Sequence, residues 1–124
     1  MISPSLSNYY NLAVLDRMSG NYKSCIEVLN SVLAVKSDYW QVYLQRGLCY
    51  KAVGQNELAV ADMLRVLSVD RENIEALQNI GFILIDKGNI KPGKIYLEKA
   101  AALLLEQGKI NEYTNLRNRL DSVK

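Results

Sequence analysis

The chain has 124 residues, 49% hydrophobic and 23% charged, which suits one domain with a buried core. Its 15 basic and 13 acidic side chains leave a net charge of +2 with no basic block, which sets nucleic acid aside as a partner. It contains no histidine, which removes the commonest general base and metal ligand and every Ser-His or Cys-His nucleophile pair, so neither an enzyme, a metal nor a cofactor is expected.

In chain order, the pattern predicts helices over about 4–19, 22–35, 39–53, 57–69, 74–87 and 90–106, with a terminal helix over about 108–124. The only prolines are Pro4 and Pro92, and the long proline-free interval favours helices. Ser3 with Pro4 forms an N-cap and first-turn pair for the first helix. Asn21, Asn56 and Asn89 stand where second helices begin, and Asp38 and Asn73 stand before "YWQVYLQRGLCYKAV" and "IEALQNIGFILIDK" as caps. In the last segment Ile110, Tyr113, Leu116, Leu120 and Val123 form one apolar stripe, with Asn111, Glu112, Asn115, Asn118 and Arg119 mostly on other faces. A helix apolar on one side suits the end of a repeat array.

The segments repeat. Gly20, Gly54 and Gly88 are 34 residues apart. Each is followed by a polar residue (Asn21, Gln55, Asn89), and five positions on by a small one (Cys25, Ala59, Gly93). Large apolar residues recur at Leu29, Met63 and Leu97, and small or branched ones at Val32, Val66 and Ala100. Before the glycine stand Ala13, Gly47 and Gly81, and earlier Tyr9, Tyr43 and Leu77. Each unit therefore reads as two antiparallel helices: the turn glycine takes a positive φ, and the small residues let the helices cross closely.

These residues resemble the tetratricopeptide repeat family: "YLQRGLCY" with "ELAVADML" in the second unit, "LQNIGFIL" with "PGKIYL" in the third, "YYNLAVLD" with "SCIEVL" in the first. The resemblance implies an all-α, right-handed solenoid of about seven helices. Its single domain would hold repeats at about 6–39, 40–73 and 74–107 and a capping helix at about 108–124. The family's closing proline is missing: Ser37, Arg71 and Leu105 stand there, and "AAALLLEQG" suggests that the sixth helix runs on. Asp16 and Arg46 replace apolar residues of the other repeats, which suggests that they compensate each other across stacked first helices.

The resemblance also implies a protein-interaction module, an adaptor or assembly factor, whose first helices line a concave groove for a partner peptide or helix. By register the groove positions are Ser7, Tyr10, Val14 and Arg17, then Gln41, Leu44, Leu48 and Lys51, then Glu75, Gln78, Phe82 and Ile85. Their centre is apolar, with Arg17 and Lys51 along one edge, which suits an apolar or amphipathic partner segment. Phe82, the sole phenylalanine, is the candidate anchor. The family's carboxylate-clamp chaperone tail is not expected, because the matching positions are Tyr10, Val14, Gln45, Glu75 and Asn79, with no basic residue. Alternatives are a self-associating scaffold, in which an exposed first helix or apolar groove receives the terminal helix of another copy, or a regulatory fragment of a longer protein.

Other candidates read as structure. Cys25 and Cys49 hold small-residue packing positions and read as inert buried thiols, consistent with a reducing, cytoplasmic setting. The tyrosines read as core, and Trp40 either staples the inter-repeat turn or marks a contact. "KGNIKPGK" lacks the phosphate-loop spacing and follows a helix, and "LRNRLDSVK" reads as a solvated face. No run reaches ~18 apolar residues, so no membrane insertion is expected, and "MISPSLSNYY" lacks the basic and apolar regions of a signal peptide.

Overall fold

Residues 5–123 are described from a computed structural model. They form seven helices: α1 Leu6–Met18, α2 Tyr22–Val35, α3 Trp40–Ala52, α4 Asn56–Val69, α5 Ile74–Asp86, α6 Ile90–Glu106 and α7 Ile110–Asp121, with no strand among the described residues. The chain divides into two compact units, Met1–Val69 and Asp70–Lys124.

In the first unit α1 pairs with α2, and α3 with α4. Gly20 and Gly54 hold φ of 82° and 83°, a conformation open to glycine at no steric cost. Each takes the C′ position, and the next residue's N–H returns to the helix before it: Asn21 to the Asp16 carbonyl, Gln55 to the Tyr50 carbonyl. The expected Ser3 cap lies outside the described residues. Ser5 caps α1 instead, its Oγ accepting from the Asn8 N–H at 3.2 Å. Asp38 does not cap α3 as expected: Tyr39 takes that position, without a side-chain cap bond. Gly47 marks a close approach. A Cβ there would lie 3.0 Å from Met63 Cε and 3.3 Å from the Ala59 carbonyl oxygen.

The core of this unit gathers Ala13, Cys25, Leu29, Val32, Val42 and Cys49. Both cysteines are fully buried, as their packing positions suggested. They are not free thiols, however: Cys25 of α2 and Cys49 of α3 form a disulfide with Cα atoms 6.8 Å apart. The expected Asp16–Arg46 compensation is also absent. Arg46 forks onto Asp62 of α4 with two hydrogen bonds, 2.9 and 2.8 Å, and its third nitrogen donates to Asn30 Oδ1 of α2 at 2.9 Å. Asp16 accepts from the Ser24 hydroxyl at 2.7 Å. Asp62 is a buried carboxylate, and the bidentate guanidinium is what compensates its burial. The hydrogen bond to Asp62 raises the Arg46 pKa above its ordinary value.

In the second unit Asn73 caps α5 as expected, its Oδ1 accepting from the Ala76 N–H at 2.9 Å. Gly81 and Gly93 let α5 and α6 cross with little separation. A Cβ on Gly93 would stand 2.8 Å from the Gly81 carbonyl oxygen and 2.6 Å from Ile85 Cγ1. The sixth helix does run on, through Glu106. A fourth glycine turn at Gly108, φ 74°, introduces α7. The α7 stripe buries Leu116 and Leu120 at 3% exposure each and half-buries Tyr113 and Val123, while Ile110 stays 54% exposed and outside the packed stripe. Arg117 of α7 forks onto Glu98 of α6 at 3.0 and 2.6 Å.

Candidate functional site

In the first unit α1 and α3 pack side by side. Tyr10, Val14, Arg17, Gln41, Leu44, Leu48 and Lys51 are all half-buried, and Ser7 is exposed. Two contacts fix this surface. The Tyr10 ring stacks on Tyr39 with centroids 5.6 Å apart, so Tyr10 also serves the core. Arg17 Nε donates to Gln45 Oε1 at 2.8 Å, joining α1 to α3. A neutral amide accepts that bond, so the guanidinium keeps its charge on the face. Leu44 and Leu48 lie one helical turn apart and supply the apolar part.

The second unit holds a small recess. Gln78 and Phe82 of α5, with Glu112, Asn115, Leu116 and Arg119 of α7, line a cavity of about 210 Å³. The guanidinium of Arg119 sits 3.7 Å from the centroid of the Phe82 ring. A cation over an aromatic face is attracted by the ring quadrupole, and the contact holds the ring's orientation. Glu75 is exposed. Ile85 is turned partly toward α6, where its Cγ1 occupies the space that a Cβ on Gly93 would need. The recess thus offers an aromatic wall, two amide side chains and one charge of each sign. Its volume lies below the ~300 Å³ typical of small-molecule sites, so it suits one side chain of a partner better than a metabolite. The sequence pointed to Phe82 and Gln78 but not to Arg119, which it placed on a solvated face.

Elsewhere in the first unit Trp40 lines an open cleft with Tyr43, Leu64, Arg65 and Val69, with Arg65 4.9 Å above the Tyr43 ring. Tyr43 is buried, and its hydroxyl donates to the Ser37 carbonyl at 2.6 Å, while Tyr9 is exposed and outside the core. Among the described residues no group of three or more His, Cys, Asp or Glu is placed to hold a metal ion. No described helix is long and apolar enough to cross a membrane.

Paired antiparallel helices on a 34-residue period, with a glycine turn inside each pair and small residues at each crossing, define a helical repeat protein. The tetratricopeptide repeat profile matches residues 41–73 and 74–103, just over half of the chain, and the chain belongs to that family. Among curated proteins it is similar to sperm-associated antigen 1. It is 37% identical to the mouse protein over 68 residues, 55% of this chain, and 38% identical to the rat protein over 56 residues, 45% of this chain. The chain spans less than a tenth of those relatives, 7% and 6% of their lengths. Among solved structures it resembles the type III secretion translocator chaperone SycD of Yersinia enterocolitica. The TM-score is 0.87 at 22% identity, covering 98% of this chain and 93% of that one. SycD has also been crystallised in complex with a peptide of the translocator YopD. MamA of Desulfovibrio magneticus RS-1 gives a TM-score of 0.75 at 24% identity, over 82% of this chain and 58% of that one. At these identities the likeness to solved structures is one of fold.

Proposed function

We propose that this chain is a non-enzymatic protein-interaction module whose first helices bind an apolar or amphipathic segment of a partner protein, in an adaptor or assembly role. The Phe82 recess carries this reading: a ring held by Arg119, with Gln78 and Asn115 beside it, in a space the size of one side chain. An apolar partner residue seated against the ring contributes about 1.5–3 kcal/mol by burial. The amides of Gln78 and Asn115 each offer donors and an acceptor to the partner's backbone. In the first unit Leu44, Leu48 and Val14 offer an apolar surface of their own, and Arg17 and Lys51 favour acidic residues at its edge. The recess is preformed, which lowers the ordering cost of binding. The peptide complex of SycD, a protein of the same fold, supports the mode of binding without identifying a ligand here.

The test is a peptide-display selection on the wild-type chain, followed by titration of the enriched peptides against Phe82→Ala and Leu48→Ala. The expected result is enrichment of peptides with apolar residues and at least about a tenfold loss of affinity in Phe82→Ala. Equal affinity for wild type and both variants overturns the assignment.

A further inference from the structure

The outer face of α1 is unlike the face one repeat later. Tyr9, Leu12, Leu15 and Met18 are 39%, 47%, 60% and 71% exposed. One period of 34 residues on, Tyr43 and Cys49 are buried and Arg46 is half-buried, and they face a helix: Cys49 is bonded to Cys25 and Arg46 to Asn30, both on α2. Where this face of a first helix is covered within the unit, then, a helix covers it. On α1, Tyr10, Ala13, Val14 and Arg17 face inward, and no described helix of the unit covers Leu12 and Leu15. A helix with apolar residues all round is built for contact on more than one side.

We propose that this stripe is a self-association surface, on which α1 pairs antiparallel with α1 of a second copy about a two-fold axis through Leu12. Three members of the stripe, Tyr9, Leu12 and Leu15, are self-complementary. α1 runs Leu6–Met18, so Leu12 is its midpoint. An antiparallel pairing about it sets Leu12 against its own copy and Tyr9 against Leu15 of the other chain. Asn8, Asn11 and Ser19 fill positions between its apolar residues, and Asp16, between Tyr9 and Leu12 on the helix face, is the one charge within it. That carboxylate falls opposite Asn8 of the other copy, whose amide can donate to it. The terminal helix of another copy is a poor occupant: α7 exposes Asn111, Glu112, Asn115, Asn118 and Arg119, and of its apolar residues only Ile110 lies open. A helix of 13 residues is about 20 Å long, so the contact falls below the ~800 Å² per partner of a standard interface. The dimer is therefore weak, with a dissociation constant on the order of 10 µM or above.

Sedimentation velocity on the full chain, from about 1 µM to 1 mM, bracketing that constant, reads the outcome. The wild-type mass rises with concentration from 14.0 kDa toward twice that value. Leu15→Glu stays monomeric, and Tyr9→Lys added to it restores the dimer, because each new lysine faces the other copy's glutamate. Both sites are exposed, so helical circular dichroism and Trp40 fluorescence remain as in wild type. If Leu15→Glu loses its helical signal, Leu12→Cys serves instead: oxidation then yields a dimer that a thiol reductant returns to monomer. A monomer at every concentration, a dimer that survives Leu15→Glu, a charge swap without rescue, or no cross-linked Leu12→Cys dimer overturns the proposal. None of these residues belongs to the partner-binding surface above, so the two assignments fail separately.

Discussion

The two units follow one repeat pattern but are held together differently. The first relies on cross-bridges: the Cys25–Cys49 disulfide and the Arg46 fork that ties Asp62 and Asn30 to α3. The second relies on proximity: glycine faces glycine where α5 crosses α6, and its main ion pair, Arg117 with Glu98, lies at the surface. The pattern demands small residues at the crossings and leaves open how the helices are fastened. Where the crossing residues are Ala13 and Cys25, or Gly47 and Ala59, polar and covalent links add to the packing. Where they are Gly81 and Gly93, packing carries most of the load.

The contrast predicts a graded set of effects. Trp40 is the only tryptophan, so its fluorescence reports on the first unit, while circular dichroism sees both. The largest loss is expected for Arg46→Ala, which leaves the buried Asp62 carboxylate uncompensated, at about 3–5 kcal/mol by urea unfolding followed at Trp40. A loss under about 1 kcal/mol would show that the fork is not what holds the first unit. Next comes reduction of the disulfide by a dithiol, which should lower the Trp40 transition by about 2–4 kcal/mol. An unchanged midpoint, with both thiols shown to be free, would remove the covalent link from the comparison. Gly93→Ala should destabilise the second unit by about 1–3 kcal/mol and leave the Trp40 signal alone. Helix propensity by itself favours alanine by about 1 kcal/mol, so a gain in stability would mean that the crossing is looser than described.

The smallest effect is expected for Glu98→Gln, under about 1 kcal/mol, because the pair is solvent-exposed. It carries a pH signature. The hydrogen bonds from Arg117 hold the Glu98 carboxyl below the usual carboxylate range. Its contribution is therefore complete above that range and is lost as pH falls through the lower, folded value. Wild type and Glu98→Gln should differ at neutral pH and converge once pH falls below the folded value. A difference that persists in acid would assign the effect to something other than the ion pair.

The helix pairs, the glycine turns and the Asn73 cap were legible because period and turn chemistry are local. The cross-bridges were misjudged for a reason that can be named. Partners were sought at equal register along stacked first helices, which suggested Asp16 with Arg46. In an antiparallel pair, contacts instead fall at equal distances on either side of the turn. Asp16 and Ser24 flank Gly20, Arg46 and Asp62 flank Gly54, and Glu98 and Arg117 nearly flank Gly108. Cys25 and Cys49, and nearly so Asn30 and Arg46, are likewise symmetric about the α2–α3 connection at Ser37. That signal was present in the sequence. The contacts between non-adjacent helices, Arg17 with Gln45 and Arg119 with Phe82, follow no such symmetry. They depend on how successive helices are set side by side, which a single sequence does not encode locally. For that reason the apolar half of the candidate site was legible and its Arg119 wall was not.

The partner-binding assignment is tested most directly by amide chemical-shift mapping of the labelled chain, titrated with a peptide enriched on the wild type. The assignment predicts that shifts concentrate at Gln78 and Phe82 of α5 and at Asn115 and Arg119 of α7. Shifts confined to α2, α4 and α6, with the Phe82 and Arg119 amides unmoved at saturation, would contradict it.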